Sequence, residues 1–71
     1  MSAGLRKRSL TVAGHATSLA LEPAFWAELE AMAHARGDTL AQLIGAIDAS
    51  RAGRPLASAC RLAALDFAKQ R

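Results

Sequence analysis

Apolar and polar residues alternate with a period of two over Thr17–Leu21. Leu19 and Leu21, with Thr17 in phase, share one side, while Ala16, Ser18 and Ala20 take the other. That pattern predicts a short strand. Residues 9–13 alternate more weakly, with Leu10 and Val12 against Ser9 and Thr11, and Gly14-His15 offers a turn. Everything downstream has helical spacing. Pro23 suits the first position of a helix, where its missing N–H costs nothing, and Glu22 falls at the cap. Phe25, Leu29 and Met32 follow at i, i+4 and i+7, and Trp26 and Ala33 widen the stripe. This predicts a helix over 23–36, with Glu28, Glu30 and Arg36 toward water and Gly37 as a left-handed stop. Thr39 and Gln42 fit a capping box, and Leu40, Leu43, Ile44 and Ile47 give the second helix a continuous apolar stripe to about residue 50. Gly45 weakens that helix and offers a close approach for a neighbouring helix. Residues 51–55 break the pattern. A third helix is predicted over 57–70, with Ala59, Leu62, Ala63, Leu65 and Phe67 on an apolar side and Arg61, Asp66 and Lys69 outside. The expected fold class is mainly α with one short β-strand.

A single strand needs a partner. It can pair as a hairpin with residues 9–13, or antiparallel with its own copy across a two-fold axis. Size bears on the choice. A 71-residue chain buries only about 60% of its unfolded surface and usually needs reinforcement. Cys60 is the lone cysteine, so no internal disulfide can form, and His15, His34 and Cys60 lack zinc-ligand spacing. Oligomerisation remains. Pairing across the two-fold axis would give a homodimer whose shared core holds Leu19, Leu21, Phe25, Trp26, Leu29, Leu43, Ile44 and Ile47, with the hairpin as the competing reading.

Charge adds a function class. The net charge is +3, and Arg6-Lys7-Arg8 alone supplies it, because residues 16–71 carry six basic and six acidic side chains. Residues 1–8 read as a basic flexible arm suited to phosphates. Residues 9–50 form the expected core, and residues 51–71 a linker and C-terminal helix. No nucleophile–base pair, Gly-rich phosphate loop or metal cluster stands at a readable spacing, so neither enzyme chemistry nor a cofactor is expected. No apolar run of leader or membrane-spanning length follows the basic triplet, and the lone cysteine fits a reducing cytoplasm.

The order strand–helix–helix over about residues 16–50 resembles the ribbon-helix-helix family of bacterial DNA-binding proteins, the class of the Arc and methionine repressors. Lys7-Arg8-Ser9, Gly14-His15, Thr17-Ser18, Leu21-Glu22, Phe25-Trp26, Ser58-Ala59 and Arg61 look like one small bacterial branch of it. The resemblance implies an intertwined homodimer with a two-stranded antiparallel ribbon, here extended by a third C-terminal helix. It implies a cytoplasmic transcriptional regulator, a repressor, whose ribbon enters the major groove of double-stranded DNA. Ala16, Ser18 and Ala20 would then face the bases, and only Ser18 could hydrogen-bond one. Arg6, Lys7, Arg8 and Thr39 would meet phosphates, the last at the N-terminus of the second helix, where Asp38 opposes an anion. The rival expectation is a protein-interaction module, an antitoxin or adaptor, using the third helix.

Overall fold

The computed structural model describes residues 4–71, so positions 1–3 of the expected arm lie outside the described residues. The strand that lacked a partner finds one in its own chain. β2, His15–Leu21, pairs antiparallel with β1, Arg6–Val12, in a register that sets Val12 opposite His15 and Arg6 opposite Leu21. Two expectations change. Residues 6–8 are strand rather than flexible arm, and β2 pairs with residues 6–12 of its own chain, the hairpin alternative, with a first strand longer than residues 9–13. The physical reason is the alternation itself: Leu10 and Val12 extend the apolar face of Leu19 and Leu21, so β1 and β2 cover the core together.

The hairpin turns through Ala13 and Gly14, with φ of 53° and 81°. Positive φ at both central residues is what a two-residue type I′ turn requires, because its twist matches that of the strands. Gly14 adopts it freely. Ala13 does so against its Cβ, at a cost of about 1 kcal/mol. Ala13→Asn is therefore expected to stabilise the protein by about that amount, read as a higher urea midpoint with an unchanged slope.

α1, Pro23–Arg36, starts as expected, and both Phe25 and Trp26 donate their backbone N–H to the Glu22 carbonyl. It ends in a Schellman motif: Gly37, at φ 73°, donates to the His34 carbonyl, and Asp38 to that of Ala33. α2, Leu40–Ser50, carries the complete capping box, with the Gln42 N–H on Thr39 Oγ1 at 3.1 Å and the Thr39 N–H on Gln42 Oε1 at 2.8 Å. Gly45 lies under the hairpin rather than against a helix, where a Cβ would meet Val12 Cγ1 at 4.0 Å.

α3, Leu56–Lys69, packs chiefly on α1. Its inward face is Ala59, Cys60 and Ala64, flanked by half-buried Leu56, Ala63 and Phe67. Leu62 and Leu65 were expected on the apolar side and instead point outward, 47% and 53% exposed. The small residues explain the choice, since they let α3 approach closely where two leucines would hold it off. The core runs through all five elements, and Leu21, Leu29, Leu43, Ile44 and Cys60 are fully enclosed. Of the residues expected in a dimer core, Leu19, Leu21, Trp26, Leu29, Leu43, Ile44 and Ile47 are buried within this one chain, and Phe25 is half-buried at its margin.

Arg61 joins α3 to the start of α1. Its guanidinium donates two hydrogen bonds to the Glu22 carboxylate, at 2.9 and 3.1 Å, and lies 5.8 Å from the Phe25 ring centre. Arg61 was expected to face water, and Glu22 makes no side-chain cap because Arg61 engages its carboxylate. That guanidinium, together with a backbone hydrogen bond, holds the Glu22 carboxyl below its ordinary value. A depressed carboxyl contributes stability above its unfolded pKa and loses it as pH falls through the folded one. Stability should therefore fall as pH drops below about 4.5. Glu22→Gln is expected to cost stability at neutral pH and little under strong acid, measured by urea titration at several pH values.

Candidate nucleic-acid interface

In an antiparallel pair, directly opposed residues share a face. The inner face carries Arg6, Arg8, Leu10 and Val12 from β1 and His15, Thr17, Leu19 and Leu21 from β2, with Arg6 and His15 exposed at its two ends. The outer face is built from three pairs: Lys7 opposite Ala20, Ser9 opposite Ser18, and Thr11 opposite Ala16. All six side chains are exposed except Ala20, which is half-buried. The three positions expected to face bases, Ala16, Ser18 and Ala20, thus lie together on the outer face. Lys7, Ser9 and Thr11 join them, which the sequence reading did not foresee. The face now holds three hydroxyls and an ammonium beside two methyl groups, so it has the donors and acceptors that β2 alone lacked.

The face has the size of a groove element. From Lys7 to Thr11 the strand advances about 14 Å, and B-DNA's major groove, about 12 Å wide, admits a two-stranded ribbon. Its polarity suits contact through water and hydrogen bonds rather than apolar docking.

The basic triplet does not act as a unit. Arg8 is turned inward, where its guanidinium lies 4.7 Å from the Trp26 ring centre and its Nη1 donates to Glu30 at 2.6 Å. Glu30 was expected to face water and instead holds this arginine. Arg8, expected on phosphate, is thus engaged in fastening β1 to α1. Trp26 completes the clasp by donating its indole N–H to the Arg6 carbonyl at 2.8 Å. Arg6 and Lys7 are exposed, and among the described residues neither side chain forms an ion pair. By contrast Arg36 pairs with Asp38 at 3.1 Å, Arg51 with Asp48 at 2.7 Å, and Arg71 with Glu28. Arg6 and Lys7 thus set two adjacent unpaired cations at the open end of the hairpin, while Arg54 and Lys69 stand unpaired elsewhere among the described residues.

The N-terminus of α2 is less open than expected. The Thr39 hydroxyl accepts from Gln42 and the Thr39 N–H is itself engaged, which leaves the amides of Leu40 and Ala41 as this end's donors. The charge of Asp38, expected to repel an anion here, is balanced by Arg36.

His15 and His34 are exposed. Cys60 is enclosed, and burial, with the Asp48 charge adding, pushes its thiol up to about 11. A thiol held protonated and covered is a packing residue. No helix among the described residues is long and apolar enough to cross a membrane.

Comparison with curated proteins and with solved structures returned no match. A family model described as a ribbon-helix-helix domain matches residues 5–68, which takes in both strands and nearly all of the three helices. The chain belongs to the ribbon-helix-helix domain family.

Proposed function

We propose that this protein binds double-stranded DNA through the outer face of its hairpin and acts as a transcriptional regulator, a repressor. One observation carries the reading. In a chain of a family that resemblance associates with DNA, the exposed ribbon face is polar and ends in positive charge without an acidic partner. Ser9, Thr11 and Ser18 offer hydrogen bonds to base edges, and Ala16 and Ala20 offer methyl contacts to thymine. Arg6 and Lys7 meet the backbone phosphates at the open end, with Thr39 and the Leu40 amide as a second anchor. The protein works by binding, with no catalytic step and no cofactor. The reading includes the homodimer that the family resemblance implies, with each copy carrying its own β1–β2 hairpin.

The test is fluorescence anisotropy on two labelled duplexes, one from upstream of the protein's own gene and one scrambled. Each is titrated at several salt concentrations. Tighter binding to the upstream duplex that persists at about 0.15 M salt supports a specific regulator. Absence of binding to either, even at low salt, overturns the DNA reading.

A second reading has its own observation. Leu62 and Leu65 expose apolar surface on α3, beside an open depression of about 380 Å³ lined by Ile47, Arg51, Arg54 and Asp66. This suits an interaction module, such as an antitoxin or adaptor. Leu62→Glu with Leu65→Glu leaves DNA affinity unchanged if the hairpin is the functional surface, and abolishes partner capture if α3 is.

A further inference from the structure

We infer that two copies of this chain meet through the exposed face of α3, with Leu65 of each copy seated in the depression beside α3 of the other. This supplies a contact for the homodimer included in the reading above. It is tested without DNA, so the contact and the DNA reading can fail separately.

The first ground is shape. Leu62 and Leu65 stand about one turn apart on α3, and both are exposed. Beside them lies the open depression, bounded by the end of α2, residues 51 and 54 of the connection, and α3. Ile47, Ala59, Leu62 and Ala63 give it an apolar lining. Leu65 is no part of that lining. One surface thus carries both an apolar hollow and, next to it, an apolar side chain with nothing over it. Patches of this kind, rimmed by polar groups, mark contact sites.

The second ground is charge. Arg54 and Asp66 line the same depression, and among the described residues neither forms an ion pair. Arg51, also at its edge, is engaged by Asp48. Asp66 follows Leu65 directly in the chain. Whatever brings a Leu65 to the depression therefore brings a carboxylate close to Arg54. The depression calls for an apolar side chain beside an acid, and this chain displays that pair itself.

The third ground is symmetry. The hollow, the leucine, the cation and the acid all lie on one surface of one chain. In a two-fold contact each element meets its complement twice: Leu65 and Asp66 of one copy meet the hollow and Arg54 of the other, and the reverse. A hollow ringed by cations alone would have called for a different, acidic protein. The outer face of the hairpin contributes nothing to this surface, so both ribbons stay open when the copies join.

The experiment is sedimentation equilibrium on the full chain, from about 1 to 500 μM, in the range where a small interface dissociates. A monomer–dimer equilibrium within that range is the expected result. Leu65→Glu should weaken it about a hundredfold, because the two-fold axis counts the change twice. Arg54→Asp and Asp66→Arg should each weaken it about tenfold. Combined in one chain, they should restore association to within about threefold of wild type. Damage to the fold could not give that rescue, and all three positions are exposed, so circular dichroism should match wild type throughout. A chain that stays monomeric over the whole range would overturn the inference and leave this surface to a different protein. A dimer that Leu65→Glu leaves intact, or charge variants that weaken it without mutual rescue, would overturn it too, because the copies would then meet elsewhere.

Discussion

Trp26→Ala is expected to leave the protein largely unfolded at 37 °C. Three contacts converge on this side chain. Trp26 is 2% exposed, its indole N–H donates to the Arg6 carbonyl at 2.8 Å, and the Arg8 guanidinium lies 4.7 Å from its ring centre. Removing a buried tryptophan costs about 3–5 kcal/mol. A domain of this length has only about 4–10 kcal/mol in total. Trp26→Phe keeps most of the volume and strands the Arg6 carbonyl, so it should cost about 1–2 kcal/mol. Urea unfolding followed by circular dichroism reads both. A loss below about 1 kcal/mol for Trp26→Ala would mean that β1 is not held by this clasp. The effect reaches function because the clasp fixes the strand that carries Lys7, Ser9 and Thr11.

Arg6→Ala with Lys7→Ala is expected to weaken DNA binding by about ten- to a hundredfold at moderate salt and to flatten its salt dependence. Each phosphate contact contributes about 0.9 to the slope of log K against log salt, so the pair should remove about 1.8. Arg8→Ala should behave differently, although Arg8 belongs to the same triplet. Its charge is engaged by Glu30, so the slope should hardly move while the urea midpoint falls. Anisotropy titrations of the double variant, of Lys7→Ala alone and of Arg8→Ala separate these outcomes. Equal slope changes for Lys7→Ala and Arg8→Ala would show that the inward placement of Arg8 does not persist on DNA.

The parts of the fold that were legible in the sequence are those fixed locally. The strand through Leu21, Pro23 at the start of α1, Gly37 at its end and the Thr39–Gln42 box are set by residues within one turn or one alternation. The strand's partner was legible only as one of two alternatives, and the full length of β1 was not. Leu10 and Val12 alternate, but the positions before them are Arg6, Lys7 and Arg8, which read as a solvated charge run. They become strand through contacts about twenty residues away: the Trp26 indole on Arg6 and the Glu30 carboxylate on Arg8. The same gap hid half of the candidate site. Ser9 and Thr11 stood against Leu10 and Val12 in a weak alternation, and only the register placed them opposite Ser18 and Ala16. The orientation of α3 was a second such case. Its sequence offers apolar residues on most sides, and the choice of Ala59, Cys60 and Ala64 as the inward face is made by close packing rather than by hydrophobicity.

The central claim is that the outer face of the hairpin is the DNA-contact surface. Amide chemical-shift mapping during titration with a short duplex tests it most directly, since it reports every element at once. The account predicts shifts concentrated at Lys7, Ser9, Thr11 and Ser18, with smaller ones at Leu40 and Ala41, and a quiet α3. Shifts confined to α3 around Leu62 and Leu65, with the hairpin unmoved, would contradict it.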